Sequence, residues 1–255
     1  MRRMETVRLN KYLAECGVCS RREADQRIAE GRVRINGKKA GPGSKVCPGD
    51  AVDVDGKALR GRNAKVVLAY YKPVGVTCTE RDRFADRMVT KEIGYPVRVT
   101  YAGRLDKDSE GLLLLSNDGD LIQRMMKGKN GHEKEYIVKT KQIVTREFLE
   151  QMAAGVYLRE LQIKTRPCRV EQIGKYTFRI VLTQGLNRQI RRMCRELSVD
   201  VAQLKRVRVV NITADGLKPG AYREVTGEER AALYRAVEMA DITGKVGYGS
   251  DGRAD

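Results

Sequence analysis

Two stretches of the 255-residue chain crowd together residue types that acid–base or nucleophilic chemistry needs. In the first, residues 101–120, the carboxylates Asp106, Asp108 and Glu110 and the cations Arg104 and Lys107 surround a turn bounded by Gly103 and Gly111. The turn leads straight into the apolar run Leu112-Leu113-Leu114-Leu115. A carboxylate at such a junction sits at the edge of a core, where burial raises its pKa and a neighbouring Arg opposes the rise. The second stretch, residues 183–194, carries Arg188, Arg191 and Arg192 within about one helical turn, so two guanidinium groups can face one anionic site. The single His, His132, lies in the polar, Gly-flanked stretch 127–134, which reads as a mobile loop. Ser-His-Asp and Cys-His chemistries therefore lose their base, and catalysis falls to a carboxylate, a Tyr or an Arg.

The elements that must position these groups read as an α+β body. Strands are expected over 66–71, 136–141, 169–172, 176–182 and 202–212, and helices over 119–126, 145–154, 187–197 and 227–239. There is no regular βα alternation, so the expected sheet is mixed and mainly antiparallel, with helices packed on it. The stretch 241–255, rich in Gly and Asp, reads as a disordered tail.

Residues 6–65 read as a separate small module. Leu9, Tyr12 and Leu13 share a helical face that Gly17 can close. Ser20 caps a second helix, Glu23 completes a capping box, and Ala24, Ile28 and Ala29 give the apolar spacing. Val33 and Ile35 alternate with polar neighbours before the tight-turn pair Asn36-Gly37, and Val52 and Val54 form another strand.

Lys and Arg number 50 against 33 Asp and Glu, a net charge of +17 and a pI of about 9.7. A surplus of that size fits a polyanionic partner, above all nucleic acid. The first 65 residues alone hold 16 Lys and Arg against 8 Asp and Glu. No apolar run approaches the roughly 18 residues of a membrane span, and no apolar stretch follows Met1-Arg2-Arg3-Met4-Glu5 as a secretory signal requires. A cytoplasmic monomer without membrane contact is expected. Cys16-Gly17-Val18-Cys19 is the only C-x-x-C; Cys47, Cys78, Cys168 and Cys194 are scattered, so no metal site is expected. Cys16 and Cys19 read as small packing residues with reduced thiols.

Residues 6–65 resemble an S4 RNA-binding module, carried by Arg8-Leu9-Asn10-Lys11-Tyr12-Leu13, Gly17, Ser20-Arg21-Arg22-Glu23-Ala24, Gly31-Arg32-Val33-Arg34-Ile35-Asn36-Gly37-Lys38 and Gly49-Asp50. In such a module Arg8, Lys11, Arg21, Arg22 and Arg34 meet RNA phosphates. Lys72-Pro73-Val74-Gly75, Gly103-Arg104-Leu105-Asp106, Lys134-Glu135-Tyr136 and Asn187-Arg188-Gln189-Ile190-Arg191-Arg192-Met193 stand in the order and spacing of the RsuA-type rRNA pseudouridine synthases. Gln184 to Gln189 is most similar to their RluF branch.

The resemblance implies a catalytic body over 66–240 that isomerises a uridine in 23S rRNA to pseudouridine without a cofactor or metal. Alternatives are the same chemistry on small-subunit rRNA or tRNA, or a noncatalytic RNA-binding or ribosome-assembly factor. It makes Asp106 the nucleophile, or a base at the ribose, and Tyr136 the residue stacked on the flipped uracil. Arg191 is expected to pair with Asp106, with Arg188 and Arg192 close enough to substitute and to contact RNA. Arg104 is expected to fill the gap left by the flipped nucleotide, and Leu204 to wall the base.

Overall fold

The computed structural model describes residues 6–79, 87–127 and 131–243, with side chains of the last helix described as far as Val237. The chain forms two compact units. One is built on the segment ending at Lys65 with Tyr95–Arg98 and Asn117–Gly119, the other on Val66–Gly94, Val99–Ser116 and the chain from Asp120 onward.

The first unit opens with β1 (Val7–Arg8), α1 (Leu9–Glu15) and α2 (Arg21–Ala29). Gly17, at φ 78°, takes the left-handed turn that ends α1. The capping box of α2 is formed: the Glu23 amide donates to Ser20 Oγ at 3.3 Å and the Ser20 amide to Glu23 Oε2 at 2.8 Å. Strands β2 (Val33–Ile35), β3 (Lys38–Lys39), β5 (Val52–Val54) and β6 (Lys57–Ala58) pair in the order β3-β2-β5-β6, while β4 (Lys45–Val46) pairs β1. Asn36 and Gly37 both have positive φ, the requirement of the tight turn joining β2 to β3. Leu9, Leu13, Ala24, Ile28, Val33 and Val52 form the core with Cys19, whose thiol is free; Cys16 is half-buried. Burial raises the pKa of both thiols.

The second unit is organised by a nine-stranded sheet. Its elements run β7 (Val67–Lys72), α3 (Val89–Glu92), β8 (Thr100–Tyr101), β9 (Glu110–Ser116), α4 (Gly119–Met126), β10 (Lys134–Thr140) and α5 (Arg146–Ala153). They continue through β11 (Tyr157–Leu158), a 3-10 turn (Arg159–Leu161), β12 (Ile163–Lys164), β13 (Arg169–Gly174), β14 (Thr177–Leu182) and α6 (Gln189–Glu196). The last are β15 (Val201–Val209), β16 (Ile212–Thr213), β17 (Tyr222–Glu224) and α7 (Gly227–Thr243). The strand order is β13-β14-β10-β15-β9-β7-β17, with β16 on β15 and β8 on β9, and β11 and β12 form a separate hairpin. Among the described strands β15 and β9 alone run parallel, pairing Lys205 with Glu110 and Arg206 with Gly111. The expected mixed, mainly antiparallel sheet is present.

The structure adds a central strand to the reading and corrects three expectations. The four-leucine run is a central strand, β9, buried on both faces from Gly111 to Ser116; a strand without a polar face shows no alternation to read. His132, read as part of a mobile loop over 127–134, is buried at 7% exposure, and residues 128–130 of that stretch lie outside the described residues. The region expected as tail is helical through Thr243; 244–255 lie outside the described residues. The strand expected over 202–212 also ends at Val209, because Val210 turns the chain at φ 55° before β16.

Candidate active site

Asp106 lies on the loop between β8 and β9, and the fold fixes that loop at several points. Leu105 is 7% and Ser109 1% exposed, so both neighbours of the Asp106–Asp108 segment are anchored in the core. The Ser109 amide donates to the Asp106 carbonyl at 3.1 Å, and the Gly75 amide to the Lys107 carbonyl at 2.8 Å. The second contact joins the loop to Lys72-Pro73-Val74-Gly75. Lys72 is fully buried, and its Nζ donates to the carbonyls of Pro73 and Val76 at 2.9 and 2.8 Å. Burial depresses its pKa. Beneath the loop, the 2%-exposed Arg206 donates from Nε to the Leu112 carbonyl at 2.7 Å and from Nη1 to the Arg104 carbonyl at 3.4 Å.

The arginines approach from α6. Arg188 precedes the helix with φ 50°, a conformation uncommon for a residue with a Cβ. That backbone turn carries its guanidinium onto the Asp106 loop. Nη1 and Nη2 donate to Asp108 Oδ1 and Oδ2 at 3.1 and 2.9 Å, and Nη1 lies 3.6 Å from Asp106 Oδ2. Arg191, only 14% exposed, donates to the Asp108 carbonyl at 2.8 Å and brings Nε to 3.3 Å from Asp108 Oδ2. The Arg188 hydrogen bonds, reinforced by the charge of Arg191, hold the Asp108 carboxyl below the usual carboxylate range. The pairing expected between Arg191 and Asp106 is therefore corrected: Arg188 is the cation beside Asp106, and Arg191 holds Asp108.

A cleft of about 80 Å³ opens over Asp106. Tyr136, Leu182, Leu186, Ile190 and Leu204 give it apolar walls, and Arg104 and Arg188 stand with Asp106 at its polar side. Tyr136 belongs to β10, opposite Ile180 on one side and Arg206 on the other; Arg104 is exposed. A carboxylate flanked by Arg104 and Arg188 and facing apolar walls that continue into the buried core, with one aromatic ring among them, suits a planar ring laid against the apolar side. The sequence pattern of the family described as RNA pseudouridylate synthase matches residues 66–196, and that of the S4 domain matches residues 7–52. The chain belongs to the RNA pseudouridylate synthase family. A dual-specificity RNA pseudouridine synthase RluF of Escherichia coli (strain K12) is 44% identical over 235 residues, spanning 91% of this synthase and 80% of that protein. The ribosomal large subunit pseudouridine synthase B of Bacillus subtilis (strain 168) is 37% identical over 230 residues, 87% of this chain and 93% of that one. A pseudouridylate synthase crystal structure superposes with a TM-score of 0.65 at 28% identity, covering 89% of this synthase and 99% of that chain.

The synthase thus brings Asp106, Tyr136, Arg104, Arg188 and Leu204 to one cleft, with Arg191 directly behind it. Arg192 points elsewhere: its Nε donates to the Asn187 carbonyl at 3.0 Å and its Nη1 pairs with Glu160. In the S4 domain Arg8, Arg21, Arg22 and Arg34 are exposed and form no ion pair among the described residues, while Lys11 pairs with Glu15 at 3.8 Å. Sequence reasoning missed Asp108 as the hub of the arginine contacts, Gln189, which ties down the turn before its helix by accepting from the Leu186 amide at 3.0 Å, and the brace Arg206.

Nor did it read the burial of Lys134, the motif residue two positions before Tyr136 on β10. Burial, with a lesser contribution from the Arg206 charge, pushes its pKa down to about 8. The folded protein therefore disfavours the charged form: below pH 8 the cost is fully present, and it is relieved as pH rises from about 8 toward the ordinary 10.5. Lys134→Met is expected to raise stability at pH 7 by on the order of 1 kcal/mol. Denaturant titrations of variant and parent should converge by about pH 10; a difference that grows with pH contradicts the sign.

Proposed function

We propose that the synthase isomerises a uridine of 23S rRNA, with Asp106 as the residue that carries the reaction. The observation that supports this most directly is the placement of the Asp106 carboxylate in the mouth of the cleft, with Arg188 Nη1 at 3.6 Å and the Tyr136 and Leu204 side chains walling the space beside it. Large-subunit RNA is favoured because a 37%-identical relative is named a ribosomal large subunit pseudouridine synthase. The name of the 44%-identical relative carries dual specificity for RNA, which leaves room for a second substrate, and tRNA is the alternative we test for the same cleft.

The chemistry asks little beyond these groups. The target nucleotide leaves its stack, and Arg104 at the rim takes the vacated place. Asp106, as nucleophile or as base at the ribose, assists cleavage of the N1–C1′ bond; the freed uracil turns against Tyr136 and Leu204. A C5–C1′ bond then forms, C5 gives up its proton and N1 takes one, so no atom is gained or lost. Arg188 keeps a positive charge beside the carboxylate throughout, and Arg191 fixes the loop through the Asp108 carbonyl. In the S4 domain, Arg8, Lys11, Arg21, Arg22 and Arg34 hold RNA phosphates, which positions the substrate rather than reading its sequence.

Carbodiimide mapping with primer extension, on rRNA and tRNA from cells with and without this gene, tests the assignment. Loss of one or a few pseudouridine stops in 23S rRNA is expected; unchanged stops in every RNA overturn it. Within the site, Arg188→Gln is expected to lower kcat about 10- to 100-fold with the fold retained. An Arg188→Gln enzyme with the parent kcat removes Arg188 from the machinery.

A further inference from the structure

α6 borders a second cavity. About 230 Å³ in volume, it is lined by Arg188, Arg191, Arg192 and Arg195 and by two acids, Glu160 and Asp200. Asp200 is engaged by the Gln142 side-chain amide at 3.3 Å. Glu160, on the 3-10 turn between β11 and β12, forms ion pairs with both Arg192 and Arg195. Arg192 does not depend on Glu160 for its orientation, because Nε and Nη2 donate to the Asn187 carbonyl and Oδ1 at 3.0 and 3.2 Å. The cavity is therefore a preformed fork of guanidinium groups with a carboxylate in it.

We propose that Glu160 holds the place of an RNA backbone phosphate, and that Arg192 and Arg195 receive the phosphate flanking the target nucleotide when substrate binds. Three observations carry this. Arg188 lines both this cavity and the Asp106 cleft, so a strand whose uridine enters the cleft passes its neighbouring phosphate here. The Glu160–Arg195 pair is half-exposed, with side-chain exposures of 51% and 60%, while Arg192 on the other side of Glu160 is 18% exposed; a pair as open as the first contributes little net stability. A phosphate brings several acceptor oxygens to the two planar groups and takes up their donors better than one carboxylate does. Departure of Glu160 does not free the turn, because Arg159 keeps a second hold on α6: its amide donates to Glu196 Oε1 at 3.1 Å and its Nε lies 3.3 Å from Oε2.

The inference rests on the RNA-modifying assignment, and a binding measurement separates the two. A fluorescein-labelled single-stranded oligouridylate of about 20 nucleotides is titrated with the full chain across a KCl series. Glu160→Gln is expected to bind about 3- to 10-fold more tightly and to steepen the slope of log Kd against log salt by about 0.7, one added counterion on a single strand. Arg195→Gln is expected to weaken binding by a similar factor and flatten the slope by about the same amount. If Glu160 only tethers the β11–β12 hairpin, Glu160→Gln lowers the thermal midpoint with no gain in affinity, and that result overturns the proposal. So does parent-like binding by Arg195→Gln, a change at a side chain that is 60% exposed, with the thermal midpoint as the folding control. Failure of the unaltered chain to bind the oligouridylate strikes instead at the RNA-modifying assignment itself.

Discussion

Asp106→Asn is expected to abolish tritium release from RNA labelled at uridine C5 while leaving the fold and RNA affinity close to those of the parent. The replacement keeps the size of the side chain and its place between Leu105 and Lys107. The carboxylate itself makes only one close ion pair among the described residues, with Arg188 at 3.6 Å, and that pair is 29% exposed on the Asp106 side. Losing it costs no more than about 1 kcal/mol of stability. The amide cannot act as a nucleophile or a base at neutral pH, so the rate falls by more than about a thousandfold. Thermal denaturation and oligouridylate binding provide the controls. Turnover within tenfold of the parent, in a preparation free of endogenous synthase, removes Asp106 from its role.

Asp108→Asn separates the two neighbouring carboxylates. Asp108 takes the bidentate hydrogen bonds of Arg188 and the charge of Arg191, so its loss loosens the arginines while leaving the Asp106 carboxylate in place. On the proposed reading Asp106 acts on substrate and Asp108 positions the cations beside it, and a partial loss of kcat is the expected mark of the second kind of residue.

That division of labour was invisible in the sequence, and the reason is geometric. Spacing along a helix places Arg188, Arg191 and Arg192 within one turn, but it assumes helical backbone at all three. Arg188 instead sits at φ 50° outside the helix, and the turn swings its guanidinium toward Asp106 while Arg191 reaches Asp108. Local rules did read the elements whose signals are local. Ser20 and Glu23 form their reciprocal cap, Asn36-Gly37 makes its turn, and α4 occupies Gly119–Met126 as its apolar spacing requires. They failed where burial on both sides erases periodicity, as in β9. They failed again where a charged residue inside a strand turns inward, as Arg206 does between its neighbours Lys205 and Val207. A buried arginine in a strand that alternates basic and apolar residues carries no sequence mark; its meaning comes only from the carbonyls of Arg104 and Leu112 above it.

The same junction sets the largest expected effect on stability, Gly111→Ala. Gly111 has φ 102°, a backbone region that an L side chain enters only with strain. A Cβ there would stand 2.2 Å from the Arg206 carbonyl oxygen and 2.8 Å from its amide nitrogen. Both atoms are backbone, held by the parallel pairing of β9 with β15, so neither can yield by a rotamer change. Strain and overlap together are expected to cost about 3 kcal/mol or more, which for a protein of this size lowers the thermal midpoint by roughly 6–12 °C. Relief can come only by parting β9 from β15, and that parting draws Arg206 away from the carbonyls of Leu112 and Arg104, so the Asp106 loop loses its brace along with the sheet. Activity measured well below the new midpoint should therefore fall as well. Gly41→Ala supplies the comparison, since a Cβ at Gly41 meets nothing within 4 Å, and its midpoint should match the parent. A Gly111→Ala protein that melts with the parent and turns over at the parent rate shows that the close approach of β9 and β15 is not what holds the site.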